Sequence, residues 1–144
     1  MKRLPRVLIV DDEPDILLLL RIDLEAEGYE TLLAADGETA IKRILEERPD
    51  VVLLDVMMPV VDGWGVLRRL RDNRAWTRVI VLSAKTNEND VVKALDLGAI
   101  EYITKPFDPA ALLLTVEHVL DSSPEDLEAG RQRRLQRFQQ QPTA

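Results

Sequence analysis

The sequence predicts a three-layer α/β domain, a doubly wound parallel sheet covered by helices on both faces. Three observations carry that reading. Five short apolar runs recur along the chain, at residues 7–10, 31–34, 51–54, 79–82 and 100–103. The first, third and fourth are continuously apolar, the pattern of strands buried on both faces of a parallel sheet. Between the runs, apolar residues recur at helical spacing. Strand and helix therefore alternate five times, which implies right-handed crossovers.

The helices are legible one by one. Pro14 stands where a first helical turn tolerates it, Ile16, Leu20 and Leu24 come after it at four-residue steps, and Gly28 supplies a stop. Asp36 is placed to cap a second helix whose Ala40, Ile41, Ile44 and Leu45 face inward. Val66, Leu67 and Leu70 make a third stripe; Val91, Ala94 and Leu95 make a fourth, closed by Gly98. The fifth helix has Asp108 as cap and Pro109 at its first position, then Leu112, Val116, Val119 and Leu120. These elements define one domain over residues 1–122. Ser122-Ser123-Pro124 then reads as a break, and residues 123–144 as a polar, Arg- and Gln-rich tail, helical or a linker. In that tail Leu127, Leu135 and Phe138 fit one helical face, and Arg131, Arg133, Arg134 and Arg137 form a basic cluster. The expectation is a solvated helix; a linker stub or a docking segment are the sharper alternatives.

Composition narrows the function. The 144 residues are 46% hydrophobic and 31% charged, with a formal net charge of −7. That balance argues against binding nucleic acid or an anionic membrane by bulk electrostatics. There is no cysteine, which excludes disulfides, thiol catalysis and thiolate metal sites. The run at residues 7–10 is too short for a signal-peptide core, and no segment approaches the length of a membrane span. The expected location is the cytoplasm.

The chemistry lies just past the strand ends. Asp11 and Asp12 stand after the first strand, Asp55 after the third, Ser83 after the fourth, and Thr104 and Lys105 after the fifth. Ligands of open α/β sheets bind outside the carboxyl ends of the strands, so these groups converge on one edge. Lys105 alone cannot neutralise three carboxylates, and crowded carboxylates either shift their pKa values upward or recruit a cation. Oxygen donors with open positions suit Mg²⁺. A carboxylate beside such a metal can attack phosphorus to form an aspartyl phosphate, with Lys105 and the Ser83 hydroxyl left to receive the phosphoryl oxygens. Taken singly, each residue has a plainer reading: Asp11 a helix cap, Ser83 a loop hydroxyl, Lys105 a solvated charge. The conjunction at one edge favours a site.

At these residues the sequence resembles the receiver domain of two-component response regulators. The resemblance covers residues 6 to about 121 and rests on residues 7–13, 53–59, Asp62-Gly63, 81–84, Gly98-Ala99 and 102–107, in that order and spacing. It implies a (βα)₅ flavodoxin-like receiver fold with strand order 2-1-3-4-5. It implies that Asp55 accepts a phosphoryl group from a sensor histidine kinase or a phosphotransfer protein. Asp12 and Asp55 would ligate Mg²⁺, with Asp11 acting through water and Met57 through its backbone carbonyl. Ser83 and Lys105 would contact the phosphoryl group, and the Lys105–Pro106 bond would be cis. Ser83 and Tyr102 would form the switch, altering the surface of helix four, strand five and helix five toward a downstream protein, a missing output domain or a second copy. Without the resemblance, Tyr102 reads as an aromatic covering the core. Such a domain is not a conventional enzyme; it catalyses only its own phosphorylation and slow dephosphorylation. Met57 and Lys85 would flank the site at positions that, the resemblance implies, tune that dephosphorylation, and an apolar Met57 cannot position an attacking water, so slow hydrolysis is expected.

Other motifs fall away. Gly63-Trp64-Gly65 has no third glycine and does not come after the first strand, so it reads as a tight loop rather than a dinucleotide fingerprint. His118 is the only histidine, which leaves neither a zinc set nor a nucleophile–histidine pair. A magnesium-dependent phosphatase would need an Asp-x-Asp pair after the first strand, and Asp11-Asp12-Glu13 does not match it well. The 22 residues after Ser122 are too few for a helix-turn-helix, so direct contact with nucleic acid is not expected of this chain.

Overall fold

The computed structural model describes residues 3–58, 60–85 and 87–139. Met1 and Lys2, Pro59 of the motif after the third strand, and tail residues 140–144 lie outside the described residues. The elements run β1 (Arg6–Val10), α1 (Pro14–Ala26), β2 (Glu30–Ala34), α2 (Gly37–Glu47), β3 (Val51–Asp55), α3 (Gly63–Asp72), β4 (Val79–Ser83), α4 (Glu88–Asp96), β5 (Glu101–Thr104), α5 (Pro109–Asp121) and α6 (Pro124–Gln139). The strands form one parallel sheet in the order β2-β1-β3-β4-β5. The chain steps from β1 outward to β2, then crosses back to place β3 on the other side of β1. Strand order reverses between β1 and β3, and a crevice opens at their carboxyl ends.

The alternation of side chains explains why the central strands are apolar throughout. Leu8 and Val10 of β1, with Val52 and Leu54 of β3, enter one core beneath α2, α3 and α4. Their neighbours Val7, Ile9, Val51 and Leu53 enter a second core beneath α1 and α5. Every residue of these strands except Arg6 is buried, so a polar residue at a strand end marks where the sheet meets solvent or a site.

The starts of α2, α3, α4 and α5 are fixed by side-chain caps. Asp36 accepts from Thr39 N at 2.8 Å, Asp62 from Gly65 N at 2.9 Å, Asn87 from Asp90 N at 2.9 Å and Asp108 from Ala110 N at 3.1 Å. At the other end of α5, Arg78 donates to Val119 O at 3.2 Å and Ser122 O at 3.0 Å, satisfying carbonyls the helix leaves free. Gly28 and Gly98, with φ of 93° and 111°, end α1 and α4 in the left-handed region that glycine adopts without strain.

Four expectations need correction. Gly63-Trp64-Gly65 is not a tight loop but the opening turn of α3, capped by Asp62. Leu45 is 41% exposed, because the buried stripe of α2 is centred on Ala40, Ile41 and Ile44 and Leu45 lies roughly 90° round from that centre. The fifth strand begins at Glu101, not Ile100; Ile100 is buried just ahead of it, its N–H donating to Val79 O at 2.8 Å. The tail is not a solvated helix. Leu127 and Leu135 of α6 are buried, and Arg131 donates to Leu95 O at 2.7 Å, supplying a cation at the carboxyl end of α4.

Gly63, the first residue of α3, packs directly on the strand that carries Asp55. A Cβ there would stand 2.6 Å from Asp55 O and 2.5 Å from Val56 Cα, both backbone atoms that cannot turn aside. Gly63→Ala is therefore expected to lower the unfolding free energy by about 1–3 kcal/mol in urea titration. An unchanged midpoint would mean that the start of α3 is free to shift away from β3.

Candidate functional site

Each polar group at the crevice is placed by the strand that ends there. Asp11 N donates to Ala34 O at 3.1 Å, which prolongs the β1–β2 ladder by one residue. Asp11 is 1% exposed, while Asp12, in the adjoining turn, is exposed. Asp55 closes β3 at 3% exposure, and Ser83 closes β4 at 0%. Ser83 pairs with Thr104 across β4 and β5, and Lys105 N donates to Ser83 O at 2.8 Å. That bond delivers Lys105 to the same edge. The Lys105–Pro106 peptide is cis, as the resemblance implies.

The carboxylates are pinned by the loops just beyond them. Asp11 Oδ1 accepts from Glu13 N at 2.9 Å, and Asp55 Oδ1 accepts from Met57 N at 2.9 Å. The plainer reading of Asp11 as the cap of α1 does not hold, because the structure puts Glu13 at that position with no side-chain cap bond. Lys105 Nζ reaches across to Asp11 Oδ2 at 2.7 Å and to Asp55 Oδ2 at 3.4 Å. One carboxylate oxygen from each of Asp11, Asp12 and Asp55 lies within 4.8 Å of the others.

The electrostatics result from this crowding. Burial pushes the Asp55 carboxyl above its ordinary pKa, and the nearby charge of Asp11 adds to the push; the Met57 N–H and the Lys105 ammonium oppose it without cancelling it. For Lys105, burial works against the charge, but the bond to Asp11 and the charges of Asp11 and Asp55 together hold its pKa above the usual lysine value. Three carboxylates and one ammonium sum to −2 (−3 + 1). The donors are hard oxygens and the residual charge is matched by a divalent cation, so the residues fit Mg²⁺.

Behind the carboxylates, Ser83 Oγ accepts from Lys85 N at 3.1 Å, and the Tyr102 hydroxyl donates to Lys85 O at 2.8 Å. Burial raises the pKa of that hydroxyl, with the Ser83 hydroxyl pulling the other way. The Tyr102 ring also packs against the core beneath α2, α3 and α4, so it covers the core and is tethered at its polar tip. The Met57 side chain is 52% exposed while its N–H serves Asp55. His118 is exposed on α5, apart from the site. Trp64 is buried, with Lys93 Nζ at 4.4 Å from its ring centroid.

Two features were not read from the sequence. One is the Lys85 carbonyl as the acceptor for Tyr102, which no residue type announces. The other is an apolar outer face on α1, where Leu18, Leu19 and Ile22 are 56%, 45% and 57% exposed. Here a signal existed: residues 16–20 are apolar all round the helix, more than one buried face can use.

A doubly wound (βα)₅ sheet with an acidic triad and a lysine at the strand-order reversal defines a receiver-type module. The family model described as response regulator receiver domain matches residues 7–117, and the chain belongs to that family. The chain is 42% identical over 118 residues to the alkaline phosphatase synthesis transcriptional regulatory protein PhoP of Bacillus subtilis (strain 168). That match covers 82% of this chain and 49% of PhoP, so the chain spans about half the length of that relative. Among solved structures it resembles a CheY-like response regulator receiver domain protein from Methanospirillum hungatei JF-1, with TM-score 0.78 and 33% identity over 83% of this chain and 95% of that one. The BeF3-activated N-terminal receiver domain of Klebsiella pneumoniae RstA is similar at TM-score 0.75 and 30% identity, covering 81% and 99%.

The raised pKa of Asp55 is also a statement about stability. A carboxyl whose folded pKa lies above its unfolded one adds stability only when protonated, and loses it as pH rises through the folded value. At neutral pH, without Mg²⁺, Asp55→Asn removes a costly buried charge while Asp11 keeps Lys105 paired. The variant should melt roughly 3–5 °C higher, the shift expected of about 1 kcal/mol at this size. The advantage should shrink as pH falls from neutrality toward the ordinary carboxyl value of 3.8. A lower melting temperature across that range would mean that Asp55 is a net stabilising ion-pair partner.

Proposed function

We propose that this receiver accepts a phosphoryl group on Asp55 from a phosphohistidine on a sensor kinase or phosphotransfer protein. A single observation carries the reading. Asp55, of raised pKa, stands within reach of Asp11, Asp12 and Lys105, and both its oxygens are held in orientation. In the transfer an Asp55 oxygen forms a bond to phosphorus as the P–N bond to the donor imidazole breaks, and the bonding pair leaves with that nitrogen. Met57 N fixes the carboxylate against rotation. Lys105, already shared between Asp11 and Asp55, is positioned to receive a phosphoryl oxygen, and the Ser83 hydroxyl to donate to another. Asp11, Asp12, Asp55 and the Met57 carbonyl would hold Mg²⁺, which when bound neutralises charge on the phosphoryl oxygens.

The donor's docking face, in this reading, is the outer face of α1. Leu18, Leu19 and Ile22 form an exposed apolar patch on the helix that begins beside Asp12, where a phosphodonor must sit to reach Asp55. The output passes through Ser83, Tyr102 and the surface of α4, β5 and α5 to a partner protein or a further domain. A second reading makes this chain the receiver part of a transcriptional regulator. It is favoured by the likeness to PhoP, whose name describes such a protein and of which the match spans 49%. We place the chain in the cytoplasm, where its phosphodonor would act; no helix among the described residues is long and apolar enough to cross a membrane.

Intact mass after incubation with acetyl phosphate tests the acceptor. One added phosphoryl group is expected, dependent on Mg²⁺ and lost in Asp55→Asn; an unmodified chain, where a known receiver is modified in parallel, would reject the proposal. The donor face is tested separately. Leu18→Asp and Ile22→Asp should slow transfer from a phosphohistidine donor roughly ten-fold or more while leaving the acetyl phosphate reaction unchanged. Equal rates from both donors would move the docking face elsewhere.

A further inference from the structure

The helix α6 belongs to no part of the site described above, and the family model ends at residue 117, before it begins. Its contacts are selective. Arg131 Nη1 donates to Leu95 O, in the last turn of α4, at 2.7 Å. Arg134 Nη1 lies 3.0 Å from Glu101 Oε2 on β5 and 3.4 Å from Ile100 O. Glu128 accepts from Trp76 Nε1 at 3.2 Å and is ion-paired with Arg131 at 2.8 Å. Only Leu127 and Leu135 of the sixteen residues of α6 are buried; Leu127 joins the core beneath α1 and α5.

These contacts make α6 a bridge between α4 and β5, gripping each by one arginine. Both of those elements border the candidate phosphoryl site at their other ends. β5 runs into Lys105, and Tyr102 in its middle is bonded to the Lys85 carbonyl, three residues before α4 begins. Two directional bonds to two separate elements hold only while those elements keep one relative position. Little apolar burial stands in reserve, and the Ser122-Ser123-Pro124 junction to α5 gives α6 an independent start. A cleft of about 330 Å³ also opens beside Glu128 and Arg131, lined on its other walls by Leu67, Leu70, Trp76 and Leu97.

We propose that α6 is a displaceable cover on the α4–β5 edge, docked in the unmodified chain and loosened when phosphorylation at Asp55 moves α4 against β5. This rests on the acceptor reading given above. The uncovered edge presents the sockets of Leu127 and Leu135, the Leu95 and Ile100 carbonyls and the Glu101 carboxylate. It fits an amphipathic partner helix with leucine, arginine and leucine at four-residue steps, the pattern of Leu127, Arg131 and Leu135.

The test is hydrogen–deuterium exchange on the full chain, with and without acetyl phosphate and Mg²⁺, alongside intact mass. In the phosphorylated chain the α6 amides should exchange roughly ten-fold faster, the factor for losing one hydrogen bond to a charged group, with the amides of α1 and α2 unchanged. Arg131→Ala should give the same acceleration without phosphate and still take up one phosphoryl group. A fully phosphorylated chain with unchanged α6 exchange would overturn the coupling and leave the acceptor reading standing. An unmodified chain would overturn both. Arg131→Ala with wild-type α6 exchange would show that the bridge does not hold the helix.

Discussion

The structure is organised around one ammonium group between two buried carboxylates. Asp11 and Asp55 end adjacent strands, are almost fully buried, and would repel each other across the crevice. Lys105 Nζ, at 2.7 and 3.4 Å, is what lets them sit together. Meeting that condition constrains the fold widely. β1 and β3 must be neighbours, which the 2-1-3 crossover provides. β5 must deliver Lys105 to the end of β4, and the lysine stem then carries its ammonium to Asp55 and Asp11. The compensation is incomplete, since one cation faces three carboxylates. The residual charge of −2 leaves the site suited to a divalent cation.

A site under this much electrostatic strain needs a scaffold that does not relax around it. The central strands are buried on both faces, so neither β1 nor β3 can retreat without opening a core. The carboxylates are held locally as well, by Glu13 N and Met57 N, each two residues further along the chain. Gly63 closes the space beneath Asp55 from the other side, its Cα set against the Asp55 carbonyl. Rigidity here comes from backbone donors and close backbone approach, which cost little side-chain entropy. The exposed Asp12 and the half-exposed Met57 remain at the mouth, where a partner and a metal would enter.

Much of this was legible in the sequence because parallel sheets impose a strict grammar. A strand apolar on both faces leaves its end as the place for a polar residue, so Asp11, Asp55 and Ser83 mark the crevice by their positions in the chain alone. Lys105 was legible only as the residue after a fifth run whose start was misplaced by one position, since Ile100 is as apolar as a strand residue although it precedes the ladder. Leu45 failed for a related reason. Apolar character says that a residue can be buried, but helical phase decides whether it is, and Leu45 sits at the border of its stripe. The outer face of α1 was overlooked because the inward residues Leu20 and Leu24 already satisfied the helix pattern.

The tail shows where that grammar stops. A segment rich in Arg and Gln with two leucines eight residues apart reads as solvated, yet the helix is seated on the domain even though most of its residues lie at least partly open to water. What seats it is a set of arginine bonds to the carbonyls of Leu95 and Ile100, acceptors that every residue carries and that no sequence pattern distinguishes. Arg131 finds its acceptor because α4 ends there, at a carbonyl that also accepts from Gly98 N at 3.0 Å, and Arg134 finds Glu101 because β5 is the open edge of the sheet. The helix therefore packs beside α4 and reaches the start of β5 through Arg134, by contacts that depend on where α4 and β5 stand. A purely apolar cover would tolerate small shifts beneath it. A cover fastened by a few directional bonds does not, and that difference makes α6 responsive to events at the far ends of the same two elements.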